Sequence, residues 1–330
     1  MHISKIEWEE DGIRKVKMYH GIIASIVLYN PEIDRLKENI MSISKQVEKI
    51  LLVDNGSKNV CDIMSLDVVK ENCILIRNKE NLGLAKALNQ AMQYAEDNQY
   101  DWVLTLDQDS VCTKNLIEGL HKHLLKERIG IIAPKFIDRN FKRLSDIEKG
   151  WKYVHRCITS ASLTNVVVWR AIGGFNEKLF IDYVDFDYCA RIIRNGYAII
   201  VDSDVEMLHE IGNSRQIFLG NRSYVLYNHS PMRVYYIVRN TLFYCYAYPD
   251  VWDVKKEKRE LQLRCVMIFL FERKRARKFI AMLKGWKESK KLIFKEKKNK
   301  KLKLANNRTQ LINYVKKRVK QAYLEQRYER

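Results

Sequence analysis

Short apolar runs rich in β-branched residues alternate, in the first half of the chain, with segments whose apolar residues recur at helical spacing. These runs cover residues 22–28, 49–53, 73–76, 102–106 and 129–133. Such alternation is typical of βαβ units, which build a mostly parallel central sheet flanked by helices. The pattern therefore predicts an α/β fold.

The clearest helical segment is predicted from residue 83 to residue 99. Its apolar stripe, predicted to pack in the core, consists of Ala85, Leu88, Ala91, Met92 and Ala95. Asn81 lies just before this segment and is the candidate N-cap. Residues 138–158 are polar by comparison and predict a long loop, a type of segment that often carries function.

Polar clusters follow three of the predicted strands: residues 29–31, 54–57 and 107–109. Ligands of parallel sheets bind beyond the carboxyl ends of the strands, so these clusters are expected to line one crevice. Asp107 and Asp109 stand two residues apart, which places both carboxylates on one side if strand geometry persists. Paired carboxylates suit Mg²⁺ or Mn²⁺ bound together with a substrate diphosphate. The alternative is an acidic turn in which Ser110 caps the next helix.

A second acidic cluster lies between residues 179 and 197, where Asp182 and Asp185 are predicted at a helix N-terminus. The helix dipole favours acidic residues there, which is one explanation of the cluster. The other is that a carboxylate serves as a general base, because mutual repulsion between acids raises a pKa towards a useful range.

Other candidates are weaker. His209 stands alone and is interpreted either as a structural residue or as a ligand, and Asp202 and Asp204 are interpreted as a turn. The sequence contains no P-loop, no hydrolase elbow and no dinucleotide-binding glycine fingerprint.

The net charge of +19 is concentrated in the C-terminal quarter of the chain. Residues 255–330 contain 27 Lys and Arg against 7 Asp and Glu, whereas the preceding residues are close to neutral. Seven cysteines without regular spacing favour a reducing compartment, and neither a signal peptide nor a membrane-spanning run is evident. We therefore expect a cytoplasmic protein, peripheral on the inner face of the cell membrane.

Seven sequence pieces, taken in order, resemble family 2 glycosyltransferases with the GT-A fold, most closely their bacterial rhamnosyltransferase branch. The pieces are SIVLYNPE, LLVDNGS, NLGLAKALNQA, LTLDQDS, IGGFNEKLFIDYVDFDYCAR, LHEIG and HSPMRVYYIVRN. The resemblance covers about residues 20–245. It implies a GT-A nucleotide-diphospho-sugar transferase domain over residues 1–250, followed by a basic, amphipathic helical extension over residues 251–330.

The resemblance also assigns roles. It implies that Asp54 and Asn81 bind the nucleotide-sugar donor, that Asp107 and Asp109 form the metal and diphosphate motif, and that His209 completes the metal site. The family's general base aligns with Asp185. Because Val184 departs from the family's acidic pair, Asp182 remains the alternative base.

A small-residue motif, Ser160-Ala161-Ser162, is also implied to line the donor pocket through Ser160 and Ser162. The family commonly has glycine where Ala161 stands. The added methyl group is expected to narrow the pocket for the donor sugar, so the resemblance does not fix the identity of that sugar.

The resemblance implies an inverting transfer in bacterial surface polysaccharide synthesis, with Mn²⁺ or Mg²⁺ as cofactor. The favoured donor is dTDP-rhamnose; UDP-hexose, UDP-galactofuranose or UDP-N-acetylhexosamine are alternatives. The acceptor is expected to be a glycan on a lipid carrier, presented at an anionic membrane to which the C-terminal region binds. A sugar nucleotidyltransferase is disfavoured because YNPEIDR lacks a glycine-rich basic loop. The alternative from another class is a nucleic-acid-binding protein that uses its basic tail; the near-neutral remainder contains no recognisable module for it, so no nucleic acid is expected.

Overall fold

The computed structural model describes residues 4–8, 14–18, 21–138, 149–209, 215–219 and 222–298. Its strands are β1 (Ser4–Trp8), β2 (Arg14–Met18), β3 (Ile22–Leu28), β4 (Ile50–Asp54), β5 (Cys73–Arg77), β6 (Trp102–Asp107), β7 (Ile129–Asp138), β8 (Trp151–Tyr153), β9 (Ser162–Asn165), β10 (Ala198–His209), β11 (Arg215–Leu219) and β12 (Arg222–Leu226). Its helices are α1 (Ile33–Ile43), α2 (Val60–Ser65), α3 (Asp67–Asn72), α4 (Leu84–Asp97), α5 (Leu116–His121), α6 (Val166–Ile172), α7 (Val184–Arg194), α8 (Pro231–Ala247), α9 (Val254–Phe271) and α10 (275–298).

Eight strands form the central sheet, in the order β5-β4-β3-β6-β9-β7-β10-β8. Strands β5, β4, β3 and β6 are parallel neighbours, and β7 pairs with β10 in parallel. Strand β9 runs antiparallel between β6 and β7, and β8 runs antiparallel at the edge beside β10. Six strands thus share one direction, and the predicted α/β architecture, mostly parallel and flanked by helices, is confirmed.

Both faces of the sheet are buried, which explains why its strands are continuous apolar runs. Along β3 the side chains alternate: Ala24 and Ile26 pack in the core that includes α1 and α5, whereas Ile23 packs in the core that includes α4, α6, α7 and α8. The five apolar runs all form strands of this sheet. The longest extension beyond a predicted end is in β7, which continues to Asp138.

The start of α4 differs from its prediction. The N-cap is Gly83, with φ of 87°, and Asn81 makes no cap; instead its Oδ1 accepts hydrogen bonds from the backbone N–H of Gly83 (2.9 Å) and from Nδ2 of Asn55 (3.0 Å). A Cβ on Gly83 would lie 2.6 Å from the ring of Phe180. The loop that precedes α7 therefore approaches α4 so closely that only glycine fits at its start.

The turn predicted at Asp202 and Asp204 is wrong, because both residues lie inside β10. The register between β10 and β7 shifts between Asp202 and Glu206, as at a β-bulge. The buried Asp202 carboxylate is bonded to Nε2 of His123 and Nζ of Lys122, both at 2.8 Å, so its role here is structural. Of the polar segment at 138–158, residues 139–148 lie outside the described part of the chain.

Three helices follow the β11–β12 hairpin and pack on one another through Val234 of α8, Ile268 of α9 and Ala281 of α10. Helix α8 also contributes Phe243 and Tyr244 to the core that contains α7. Over the described ranges, no helix combines the length and apolar character needed to cross a lipid bilayer.

Candidate functional site

The polar clusters that follow β3, β4 and β6 meet at one edge of the sheet, as expected from the parallel order of these strands. The backbone N–H of Tyr29 donates to Oε1 of Gln108 at 2.9 Å, which joins the first cluster to the third. The backbone N–H of Asn30 donates to Oγ of Ser57 at 2.8 Å, which joins it to the second. These bonds fix the three loops as one rim.

Asp54 ends β4 and is fully buried. Its Oδ1 accepts from the backbone N–H of Ser57 at 3.0 Å. Its Oδ2 has no hydrogen-bond partner among the described residues, and Nε of Arg77 lies 4.0 Å away, beyond hydrogen-bonding distance. A buried carboxylate oxygen without a donor is costly, so this position suits a ligand that brings an N–H or O–H group.

Next to Asp54, three asparagines hold the loop before α4. Nδ2 of Asn55 donates to Oδ1 of Asn81 and to the carbonyl of Gly83, and its Oδ1 accepts from Nδ2 of Asn78 and the backbone of Leu82. Asn55 thus uses both ends of its amide within the protein. Asn81 uses only its oxygen, and its Nδ2 makes no hydrogen bond within the described chain.

Asp107 and Asp109 lie at the end of β6 and in the turn after it, the first half-buried and the second exposed. Ser110 does not cap a helix, because α5 begins only at Leu116 and the Ser110 hydroxyl lies 2.8 Å from that of Ser160. The alternative in which Ser110 acts as an N-cap is therefore wrong.

Two carboxylates at one strand end fit Mg²⁺ or Mn²⁺, which commonly take one or two carboxylates and complete their coordination with substrate phosphates. The described residues contain no group of three or more His, Cys, Asp or Glu side chains arranged to hold a metal. His209 ends β10, and its side chain lies outside the described part of the structure.

The segment Ser160-Ala161-Ser162 leads into β9, which pairs with β6, and is buried throughout. The Ser160 hydroxyl bonds to Ser110, and the Ser162 hydroxyl donates to the carbonyl of Ile158 at 2.6 Å. Ala161 has a φ of 51°, a left-handed conformation that glycine adopts more readily.

Asp182 and Asp185 lie in different environments. Asp182 precedes α7, has a φ of 61°, and forms an ion pair with Arg233 of α8 in which Nε contacts both carboxylate oxygens at 3.2 and 3.3 Å. Asp185 lies in the first turn of α7, and its Oδ1 accepts from the backbone N–H of Phe186 at 2.9 Å. No cation is paired with Asp185 among the described residues.

The pKa of Asp185 is raised from 3.8 to about 7, mainly by burial. The negative charges of Asp182 and Asp107 also raise this pKa, whereas the backbone hydrogen bond from Phe186 lowers it. Asp107 is therefore near enough to Asp185 for its charge to be felt. A carboxyl group with a pKa near neutrality is suited to accept a proton from a substrate hydroxyl. The third acid of the cluster, Asp187, is buried and bonded to Arg191, Tyr248 and Asn176, which makes it structural.

Two residues that sequence reasoning left without a role contact this region. Asn240 of α8 is fully buried, and its Nδ2 lies within 2.9 Å of three carbonyls in the loop before α7. Arg233 pairs with Asp182, as described above. Both belong to the piece HSPMRVYYIVRN, so the signal was visible, but no local pattern indicates which loop they hold.

The profile of the family described as "Glycosyl transferase family 2" matches residues 24–183. The dTDP-rhamnosyl transferase RfbF of Shigella flexneri is 30% identical over 239 residues, which cover 68% of this chain and 79% of that protein. A match of this length necessarily extends beyond residues 24–183, the part that the family profile covers.

Solved structures with a similar fold include GalNAc-T7 with UDP, GalNAc and Mn²⁺, at a TM-score of 0.51 and 15% identity, covering 74% of this chain and 55% of that one. Residues 1–349 of S. aureus TarS in complex with UDP-GlcNAc give a TM-score of 0.51 at 17% identity, covering 77% of this chain and 74% of that one. At these identities the likeness shows the fold alone, and that fold is the expected GT-A fold.

Proposed function

Because the chain belongs to glycosyl transferase family 2, we propose that it transfers L-rhamnose from dTDP-rhamnose, with inversion at the anomeric carbon, to a hydroxyl group of a glycan. The carboxyl group of Asp185 carries the proposal for the reaction, because its pKa of about 7 and its place near Asp107 suit a general base. The donor is proposed from the similarity to the Shigella relative.

In this mechanism the rim at the ends of β3, β4 and β6 binds the donor. The unpartnered Oδ2 of Asp54 accepts a hydrogen bond from the nucleoside, and the free Nδ2 of Asn81 donates one to the donor. Asp107 and Asp109, with His209, would hold Mn²⁺ or Mg²⁺. When bound, the ion supplies positive charge that offsets the charge of the leaving diphosphate.

Asp185 removes the proton from the acceptor hydroxyl as that oxygen attacks the anomeric carbon and the bond to the diphosphate breaks. Asp182 is a poorer candidate, because the guanidinium of Arg233 contacts both of its carboxylate oxygens. The ion pair supports different proposed roles for two acids three residues apart: Asp185, which has no paired cation among the described residues, takes the proton, and Asp182 anchors the loop to α8.

Turnover with a panel of nucleotide sugars tests the donor and the reaction together. Purified protein with Mn²⁺ is incubated with dTDP-rhamnose, UDP-glucose, UDP-galactofuranose and UDP-N-acetylglucosamine, and the release of nucleoside diphosphate is followed. We expect release from dTDP-rhamnose above the rate of a matched Asp185→Asn protein. Release from a UDP-sugar alone would reassign the donor, and equal rates for both proteins would remove Asp185 from the chemistry.

We further propose that α9 and α10 bind an anionic membrane that presents a lipid-linked acceptor. Seven consecutive apolar residues occupy positions 265–271, and the structure divides them. Met267 and Ile268 are buried, whereas Val266, Phe269 and Leu270 are 50–56% exposed. The run therefore packs on the protein with one side and faces outward with the other.

Helix α10 contributes a second apolar row, made of Phe279, Ile280, Leu283 and Trp286, each 48–52% exposed. The rings of Phe269 and Phe279 are 6.4 Å apart, so the two rows adjoin. We call the exposed apolar side chains of the helical hairpin formed by α9 and α10 the hairpin face; they are Leu263, Val266, Phe269, Leu270, Phe279, Ile280, Leu283 and Trp286. Lys284, Lys287, Lys290 and Lys291 lie on the same helix, with Nζ of Lys290 3.4 Å from the Trp286 ring centroid. Apolar side chains combined with lysines suit the headgroup region of an anionic bilayer.

A further inference from the structure

The loop that precedes α7 has an unfavourable backbone conformation. Three of its residues, none of them glycine, have positive φ: Phe180 at 51°, Asp182 at 61° and Tyr183 at 65°. Each such residue costs on the order of 1–3 kcal/mol, so the conformation persists only if the surrounding structure holds it. Tyr183 is the N-cap of α7, and Asp185 follows two residues later.

Helix α8 holds the first part of this loop. Nδ2 of Asn240 donates to the carbonyls of Leu179, Ile181 and Asp182 at 2.8–2.9 Å, and Arg233 pairs with the Asp182 carboxylate. Helix α8 also meets Tyr183, whose backbone angles set the direction in which α7 begins: the ring of Tyr244 lies 5.4 Å from the Tyr183 ring, and the Thr241 side chain contacts the Tyr183 hydroxyl.

Helix α9 provides the charged partner of the Tyr183 hydroxyl. The Tyr183 hydroxyl donates to Oε1 of Glu257 at 2.5 Å, and Oε2 of Glu257 accepts from Nε1 of Trp252 at 2.6 Å and from Nη1 of Arg156 at 3.2 Å. Glu257 is buried, yet both of its oxygens have donors. The guanidinium of Arg156 also stacks on the Trp252 ring, 3.9 Å from its centroid. A fully satisfied buried network of this kind makes the local structure rigid.

We propose that Glu257 is a positioning residue: by holding the Tyr183 hydroxyl, it fixes the N-terminus of α7 and thereby the carboxylate of Asp185 relative to the acceptor. The inference rests on the proposed role of Asp185 as the base. It assigns a part in catalysis to a residue 72 positions later in the chain, in the segment expected to serve as a membrane-binding extension.

The Glu257→Gln variant tests this role with minimal change in volume. If the amide oxygen of glutamine faces Trp252 and Arg156, its NH₂ group faces Tyr183, whose hydroxyl must then accept; if it faces Tyr183, the NH₂ group meets two donors. In either orientation Tyr183 loses the charge-assisted bond to a carboxylate. Because small misplacements of reacting groups can cost up to about a hundredfold, we expect kcat to fall by roughly ten- to a hundredfold. The KM for the nucleotide sugar should stay within about twofold, since the donor rim is built from other loops.

A loosened loop also admits water to Asp185. The acid limb of the kcat profile should therefore move to lower pH in Glu257→Gln, by about half a unit or more, because hydration removes part of the burial that raises the Asp185 pKa. A purely structural role for Glu257 would lower thermal stability without moving this limb.

Tyr183→Phe provides a second, milder variant, since it removes the hydroxyl and leaves Glu257 bonded to Trp252 and Arg156. It should show the same fall in kcat, and the double variant should be no slower than the slower single variant, because both changes remove one interaction. The matched control is Asp250→Asn, which breaks an ion pair with Arg194 at the other end of α7 and should leave kcat within about twofold.

Two results overturn the inference: kcat and its pH profile unchanged in Tyr183→Phe while wild-type protein turns over, or losses that multiply in the double variant. If the Glu257→Gln protein does not fold, the Tyr183→Phe variant alone decides between these results. Wild-type protein that releases nucleoside diphosphate from no nucleotide sugar is a different result, since it refutes the proposed function and not the contact between α9 and α7.

Discussion

Replacing Asp185 with asparagine should make the protein more stable at neutral and alkaline pH while it removes activity. Burial raises the pKa of this carboxyl group in the folded protein, whereas in the unfolded chain it ionises at its ordinary pKa of 3.8. As the pH rises from about 4 to about 7, the unfolded chain gives up the proton and the folded protein retains it, so stability decreases over this window. Above pH 7 both forms are ionised and the loss is complete. Asparagine cannot ionise and avoids this loss.

The size of the effect follows from the pKa. A rise from 3.8 to about 7 corresponds to about 4 kcal/mol, at roughly 1.4 kcal/mol per pKa unit, as an upper bound. Because the side chain is only partly buried, solvent screens the charge, and we expect a gain of about 1–3 kcal/mol for Asp185→Asn at pH 8. The asparagine oxygen can still accept the hydrogen bond from Phe186, so no other contact is lost.

Urea unfolding of both proteins at pH 4.5, 6 and 8, without metal or nucleotide, measures this difference. It should be smallest at pH 4.5, where it reaches about a quarter of its full size, and largest at pH 8. Turnover should fall by about two to four orders of magnitude, the usual contribution of a general base. Asp67→Asn is the control, because Asp67 also lies in the first turn of a helix but its side chain is 87% exposed. If the free energy of unfolding depends on pH in the same way for wild type and Asp185→Asn, Asp185 is not a buried acid with a raised pKa.

Three further outcomes are expected. The kcat of the wild-type protein should rise about tenfold per pH unit below about pH 7 and then level off, as the base ionises; a flat profile from pH 5.5 to 8 would contradict a base with this pKa. Asp109→Ala should abolish metal-dependent donor binding in calorimetry with little change in melting temperature, since the side chain is exposed. Unaltered metal dependence would favour the interpretation of Asp107 and Asp109 as an acidic turn that binds no metal. Replacing both Phe269 and Phe279 with serine should weaken binding to phosphatidylglycerol vesicles in flotation by about tenfold or more. The control Leu125→Ser, at a 69% exposed site outside the hairpin face, should bind like wild type. Equal binding by wild type and both variants would show that the hairpin face is not the membrane-binding surface.

The sheet and the rim of polar clusters at its edge could be predicted because local sequence determines both. Apolar runs mark the strands, and since parallel strands end at one edge, Asp54 and Asp107 are brought together without any further information. The same reasoning failed at Ser110, whose hydroxyl bonds to Ser160 in another loop. It also failed at Asn81, whose oxygen accepts from Gly83 and from Asn55 and so caps none of the N–H groups inside α4.

The separation of Asp182 from Asp185 could not be predicted, because it depends on contacts across long stretches of chain. Arg233 lies 51 residues from the carboxylate it binds, and Glu257 lies 74 residues from Tyr183. The positive φ values at Phe180, Asp182 and Tyr183 are also invisible in sequence, since none of these residues is glycine. Tertiary contacts override local preference at this loop, as is common where strain serves function.

Helix α9 carries Glu257 in its first turn and part of the hairpin face in its second half, so the C-terminal region cannot be removed as if it were a detachable tether. A protein shortened before Val254 to obtain a soluble enzyme would also lose the acceptor for the Tyr183 hydroxyl. Its inactivity would then be mistaken for a requirement for lipid. Point substitutions on the hairpin face leave Glu257 in place, so they test the proposed binding to a bilayer separately from catalysis. Any engineering of a lipid-independent transferase should keep α9 intact and change only its outward-facing side chains.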